Sequence, residues 1–235
     1  MALGTNNLGA TLRSTRSMAM NALGLTPDAV FIWIPKSAGT SLFDSLSDEG
    51  CQKLKSLELV KKRFSQRGLV TFGHMDYRGL IDAGYISSAF DERAKKFALT
   101  RDPYARAVSL YLYIRDRHKM FEGWRKTPSF REFLEMIDRG HYDSIGLYNV
   151  RGLSQANPQV AWTKGIVFDH LGRVESLEES LEAISRLLGK SLQSPKWLNK
   201  GSGEDSSNLL DRDTRYLIDK IYDEDFETFG YSKHG

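Results

Sequence analysis

Val30-Phe31-Ile32-Trp33-Ile34-Pro35-Lys36-Ser37-Ala38-Gly39-Thr40-Ser41-Leu42-Phe43 decides how the rest of the 235-residue chain is read. Val30 to Ile34 is an unbroken β-branched and aromatic run, the pattern of a strand buried on both faces of a parallel sheet. Pro35 removes an amide donor and ends the ladder. Gly39 allows the backbone to approach a bound group closely, and Thr40 and Ser41 are suited to cap the helix that follows. A strand that turns through such a loop into a helix start presents free N–H groups and the positive end of the helix dipole, an anion site and most often a phosphate site. Lys36 adds a full charge, and Ser37, Thr40 and Ser41 add hydroxyl donors. The loop is not a Walker A motif, because Lys36 stands four positions before Thr40 instead of directly before a Ser or Thr. The same residues also fit an ordinary strand-to-helix turn with an exposed lysine.

Working outward, 235 residues suit one α/β domain better than two. A net charge of +3 is too small to argue for nucleic acid but suits a protein whose ligands are anions. The longest apolar run, Ala29 to Ile34, falls far short of the roughly 20 residues of a membrane helix, so no membrane span is expected. The single cysteine, Cys51, excludes an intrachain disulfide and favours a reducing compartment; a soluble, cytoplasmic protein is expected. No His/Cys/carboxylate group has ligand spacing, so no metal is expected. His118, His141, His170 and His234 read as surface or structural residues. Oligomeric state is left open.

Residues 1–27 contain no acidic residue and no sustained apolar period, and read as a flexible N-terminal arm ahead of a single domain over 28–235. Thr40 to Leu46 is expected to be helical, and so is Gln52 to Phe64 with its five basic residues, a solvated face more often than a polyanion site. Leu69 to Gly73 reads as a second strand ending at His74. Phe97 to Thr100 is a third strand, running into Arg101-Asp102-Pro103, where Asp102 is a good N-cap and Pro103 is well placed at the first helical position. The helix from Tyr104 to Arg117 turns Val108, Tyr111, Leu112 and Ile114 inward, and Ser129 to Ile137 is a short amphipathic helix. His141 to Gln159 reads as irregular, Gly165 to Val174 as a fourth strand region, Glu175 to Leu188 as a helix stopped by Gly189, and Asp211 to Phe226 as the last helix. Strands alternating with helices point to an α/β fold with a mostly parallel central sheet.

Arg101 and Ser109 form a second anchor. Ser109 lies close to two turns past Asp102, on the face where the helix starts, so a long Arg from the strand end and this hydroxyl can converge on one anion. The planar guanidinium fork matches phosphate oxygens. Taken alone, the pair also fits an Arg bound to an acid and a Ser buried on a helix.

Pro35 to Ser41 matches Pro-Lys-x-x-Gly-Thr/Ser-Ser/Thr, and resembles the 5′-phosphate loop of sulfotransferases that use 3′-phosphoadenosine 5′-phosphosulfate (PAPS). Arg101 to Tyr111 is similar to the second motif of that family, in which an Arg at a strand end and a Ser eight residues on read the 3′-phosphate. Thr71-Phe72-Gly73-His74 resembles a segment of the carbohydrate 2-O-sulfotransferase branch, Asp169 to Glu175 one of membrane-associated carbohydrate sulfotransferases, and Leu198 to Ser202 a late nucleotide-covering loop. The resemblance spans Val30 to Tyr231. It implies a P-loop-like three-layer α/β fold, PAPS as donor, 3′-phosphoadenosine 5′-phosphate (PAP) as product, and a hydroxyl acceptor, with carbohydrate favoured. Golgi members carry a membrane anchor and usually disulfides, which points here to a soluble bacterial or viral relative.

Carried onto this chain, the resemblance implies that Lys36, Ser37, Ala38, Gly39, Thr40 and Ser41 hold the 5′-phosphate and Arg101 and Ser109 the 3′-phosphate. Lys200, Gly201 and Ser202 would cover the nucleotide. Sulfuryl transfer is an in-line displacement with charge building on the leaving oxygen, which needs a cation there and a base for the acceptor proton. Lys36 is the candidate cation. His74 is the candidate base, with an ordinary imidazole pKa near 6.5 expected, and Asp76 stands second. Two other readings remain: an inactive module that binds PAP or a sulfated ligand, and a P-loop kinase or NTPase, which lacks its Gly-Lys-Ser/Thr.

Overall fold

The computed structural model describes residues 15–116, 126–141, 147–148, 153–193 and 206–234. Five strands, β1 (Ala29–Ile32), β2 (Gln52–Lys53), β3 (Leu69–Thr71), β4 (Lys95–Thr100) and β7 (His170–Arg173), form one sheet in the order β2-β3-β1-β4-β7. Every pairing in it is parallel, with Val30 beside Val70, Phe31 beside Phe97 and Ala98 beside Leu171. A separate antiparallel hairpin joins β5 (Leu147–Tyr148) to β6 (Leu153–Ser154).

The central place of β1 follows from its composition, because only a strand apolar on both faces tolerates being covered twice. Ala29, Phe31 and Trp33 pack with Leu42 and Leu46 of α2 (Gly39–Asp48) and with Leu181, Ile184 and Leu188 of α9 (Leu177–Leu188). Val30, Ile32 and Ile34 face the other layer, built from α3 (Leu57–Arg63), α4 (Tyr77–Asp82), α5 (Ser88–Arg93) and Trp162 of α8 (Val160–Thr163). A third core joins α6 (Pro103–Asp116), α7 (Phe130–Asp138), α10 (Arg212–Ile221) and α11 (Asp223–Phe229), through Tyr111, Phe133, Ile218 and Phe226.

From β1 the chain departs through α2 toward β2 and β3; from β4 it departs toward β7 on the opposite side. The crevice between the C-terminal ends of β1 and β4 is therefore the topological switch point, where open parallel sheets bind ligands.

Three assignments differ from the sequence reading. Gln52 and Lys53 pair with β3 as an edge strand instead of opening a helix, and the helix begins at Leu57, behind Ser56, whose hydroxyl accepts from the Leu59 amide. Two residues of strand carry no periodicity, and the basic residues after them dominate the pattern. The stretch read as irregular holds the β5–β6 hairpin. The last helix is two, broken at Tyr222.

Residues 15–22 form helix α1, whose last turn is tied to the sheet. Asn21 Nδ2 donates to the Leu69 carbonyl at 3.3 Å. A side chain at Gly68, where φ is +82°, would start 2.3 Å from Asn21, so only glycine admits this contact.

Candidate active site

The loop after β1 is held in an uncommon backbone. Lys36 (φ 66°) and Ala38 (φ 52°) are both left-handed without being glycine, and each costs on the order of 1 kcal/mol or more. Side chains from elsewhere in the chain hold three successive loop residues. Arg106 Nε donates to the Pro35 carbonyl at 3.1 Å, Arg101 Nη1 to the Lys36 carbonyl at 3.3 Å, and the Ser37 hydroxyl to Gln159 Oε1 at 3.2 Å. Because peptides are planar and trans, a carbonyl tied back in this way turns the next N–H the opposite way. Gly39, Thr40 and Ser41 occupy the first turn of α2, whose amides have no intrahelical acceptor. The result is a concave run of N–H groups at a helix start, suited to a phosphate.

Two details depart from expectation. Ala38 is the N-cap of α2 and no side chain caps it, so Thr40 and Ser41 are first-turn residues rather than caps. At Gly39, a Cβ would lie 1.9 Å from Trp33 Nε1, so the glycine makes room for the buried indole behind the loop.

The second motif is locally built. Asp102 Oδ1 accepts from the Ala105 amide at 2.8 Å, and Pro103 opens α6, both as predicted. Arg101 leaves the end of β4 beside the first loop. Its partial burial lowers its pKa, with Glu175 and Asp102 acting against that, and the guanidinium stays charged. Ser109 is half-buried on α6, and one turn on is Tyr113, over whose ring Lys36 Nζ sits 3.9 Å from the centroid. The lysine thus reaches from the loop to the helix face that carries Ser109.

His74 follows β3. Its Nδ1 lies 2.9 Å from the Trp33 carbonyl, its ring meets Trp33 edge-on at 5.2 Å, and its own carbonyl accepts from Trp162 Nε1 at 3.0 Å. A carbonyl only accepts, so the neutral ring carries its proton on Nδ1 and leaves Nε2 as acceptor. The expected ordinary pKa is corrected: loss of hydration on burial pulls it down to about 4, Lys53, Lys36 and Arg106 push the same way, and the Trp33 carbonyl opposes them. Lys53, at the end of β2, lies over the Trp33 and Phe43 rings at 4.2 and 4.7 Å, and desolvation there lowers its pKa. Asp76 is the buried N-cap residue of α4.

The structure therefore brings Lys36, Ser37, Ala38, Gly39, Thr40, Ser41, His74 and Arg101 to one edge of the sheet, with Ser109 on the flanking helix. Lys200, Gly201 and Ser202 lie outside the described residues. Sequence reading missed Arg106, Gln159 and Asp225. Arg106 is 1% exposed and also donates to the carbonyls of Gln155 and Asn157, at 3.0 and 2.9 Å. A signal for it existed, since Pro103, Ala107 and Leu110 around it on α6 are all buried positions. Gln159 and Asp225 had none, because the contacts that define them cross 58 and 66 residues. Among the described residues no three His, Cys, Asp or Glu side chains converge as a metal site would require, and no helix is long and apolar enough to cross a membrane.

A parallel sheet with a braced amide loop at its switch point, a lysine in that loop and an arginine on the adjoining strand end defines an α/β protein with a site suited to an anion. The sequence model of the sulfotransferase family matches residues 27–232. The chain belongs to that family, the PAPS-dependent transferases that its two phosphate motifs resemble. Mouse sulfotransferase SULT7A1, solved in complex with PAP, matches with a TM-score of 0.54 over 92% of this chain and 91% of that one, at 16% identity, a likeness of fold. No curated protein sequence matches the chain.

Proposed function

We propose that this sulfotransferase moves a sulfuryl group from PAPS to an acceptor hydroxyl, releasing PAP, and that the acceptor is a carbohydrate. One observation carries the donor reading: Arg101 Nη1 reaches the Lys36 carbonyl at 3.3 Å, so the two motifs, 65 residues apart, meet at the switch point. That the solved relative was captured with PAP supports the same nucleotide here. The amides from Lys36 to Ser41, with the hydroxyls of Thr40 and Ser41, hold the 5′-phosphate. Arg101 and Ser109 hold the 3′-phosphate, and Lys200, Gly201 and Ser202 cover the nucleotide. PAPS supplies the sulfuryl group; the chain aligns it, offsets charge on the leaving oxygen and removes the acceptor proton.

Lys36 serves the leaving oxygen. The bracing of the loop comes from its carbonyls and Ser37, so Lys36→Ala leaves the cradle standing and lowers kcat by more than it raises the donor KM. An unchanged kcat with weaker binding would refute that role. His74 Nε2 takes the proton from the acceptor. With its pKa near 4 the ring is neutral throughout the physiological range, at the cost of basicity. Asp76 is the residue to substitute beside it. The carbohydrate acceptor rests on the resemblance of Thr71–His74 and Asp169–Glu175 to carbohydrate sulfotransferases.

The test is transfer of radiolabelled sulfate from PAPS into sugars, a lipid, a tyrosine peptide and small alcohols, with PAP release followed in parallel. Label entering sugars is the expected result. Label entering only other acceptors overturns the carbohydrate assignment, and PAP binding with no transfer to any acceptor leaves a binding module.

A further inference from the structure

Gln159 is 0% exposed, and its amide group is fully used. Oε1 accepts from the Arg101 backbone N–H at 2.9 Å and from the Ser37 hydroxyl at 3.2 Å. Nε2 donates to the Arg101 carbonyl at 2.8 Å and to Asp225 Oδ2 at 3.3 Å. The orientation is unique, because a flipped amide would set N–H against N–H and carbonyl against carbonyl at Arg101. One side chain thus grips the backbone of the residue after β4 on both sides and carries the first loop on its oxygen. Its base is fixed as well: Asp225, itself 0% exposed, accepts from the Gln159 amide at 2.9 Å and from the Val160 amide at 3.0 Å.

Filler in a core would join elements of that core. Gln159 instead joins the two motifs assigned above to the two phosphates. The direct contact between those motifs, Arg101 Nη1 to the Lys36 carbonyl, uses the same guanidinium that would have to meet a phosphate. Gln159 holds the backbone, and that hold survives when the guanidinium turns to a ligand.

We propose that Gln159 is a positioning residue that sets the distance between the two phosphate motifs, so that a nucleotide phosphorylated at both its 3′ and 5′ positions is gripped at both ends at once. The inference rests on the donor reading given under Proposed function. Two grips at a fixed spacing act as one bidentate site, and the second costs little once the first is made. A ligand with one phosphate gains nothing from the spacing.

The experiment is calorimetric titration of the full chain with PAP and with adenosine 5′-phosphate, which lacks the 3′-phosphate. Gln159→Asn keeps the amide but withdraws it by one methylene; Gln159→Met removes its hydrogen bonds at similar volume. Losing the fixed spacing should weaken PAP by roughly 10-fold or more in either variant while adenosine 5′-phosphate changes less than about threefold. Ser37→Ala, which removes one of the four bonds, should lower the PAP preference by a smaller factor. A merely structural role would lower the melting temperature and weaken both nucleotides alike. Equal weakening, or a PAP preference intact in a variant with wild-type circular dichroism, overturns the proposal; if Gln159→Met does not fold, Gln159→Asn and Ser37→Ala decide it. Wild-type protein that binds PAP no more tightly than adenosine 5′-phosphate overturns the donor reading instead, before any variant is made.

Discussion

The two ends of the proposed site, along the sheet's C-terminal edge, are assembled by different forces. At β1 and β4, its donor end, an uncommon loop backbone is held by directional polar contacts: two guanidinium groups on loop carbonyls, and a buried amide on a loop hydroxyl. At β3 and β2, His74 and Lys53 sit around Trp33 and Phe43, set by ring packing and by lost hydration. Polar bracing fixes where atoms stand, whereas burial among rings fixes how readily a group takes a charge. Burial is the largest influence on His74, with Lys36 and Arg106 adding smaller pushes, so on the proposed roles donor binding and base tuning should separate largely, though not fully, on substitution.

The largest effect expected is at the base end. His74→Ala should lose about 10²–10⁴-fold in kcat while PAP affinity stays within about twofold of wild type, read by steady-state kinetics and calorimetry. Equal damage to both would show that His74 also holds the nucleotide site together. At the donor end, Arg106→Ala leaves the Pro35, Gln155 and Asn157 carbonyls without their donor and removes a cation that favours the charged form of the buried Asp225. It should cost about 3–5 kcal/mol, or roughly 10 °C or more in a thermal melt. A loss under about 3 °C would mean that the loop does not need this brace.

The pH dependence of stability sharpens the base end. The folded pKa of His74, about 4, lies below the unfolded value of 6.5. Between those values the unfolded chain binds a proton at this site that the folded chain does not, so stability is full above 6.5 and falls as pH drops toward 4. The loss is up to about 3 kcal/mol, and this contribution is level again below pH 4. Urea melts across that window should differ in slope between wild type and His74→Ala, and the acidic limb of the rate profile should lie near 4. Parallel slopes would show that His74 is not desolvated.

Smaller effects separate contacts within the donor end. Arg101→Ala should weaken PAP by about 1.5–3 kcal/mol and adenosine 5′-phosphosulfate, which lacks the 3′-phosphate, far less. Equal losses by calorimetry would remove Arg101 from the 3′-phosphate. Asp102→Ala deletes a cap that belongs to α6 alone, and should cost about 1 kcal/mol in a urea melt with little change in nucleotide affinity. A collapse of PAP binding there would show that the second motif is less self-contained than its geometry implies.

Wherever a signal is local, the sequence was legible. The apolar run of β1, the Asp102-Pro103 start of α6, the left-handed Gly189 ending α9 and the amphipathic α7 each declare themselves within a few residues. The Gly-Thr-Ser start of α2 was also legible, though Ala38 rather than a hydroxyl caps it. Gln52 and Lys53 were not, because an edge strand two residues long has no period of its own and exists only through β3. The pKa of His74 was not either, because it depends on the burial of a ring against Trp33, 41 positions earlier.

By itself, the order of residues determined an α/β chain with an anion loop after its first strand and an arginine after a later one, since strand pattern, turn chemistry and capping act over a few neighbouring residues. The fold alone brings the loop and the arginine together, sets Arg106, Gln159 and Asp225 behind them, and strips His74 of its hydration. The first two need polar groups of α6, of α11 and of the residue that caps α8 to be buried together, and the third needs the His74 ring packed against Trp33. A buried donor or acceptor must find its partner wherever the fold brings one, at any distance along the chain.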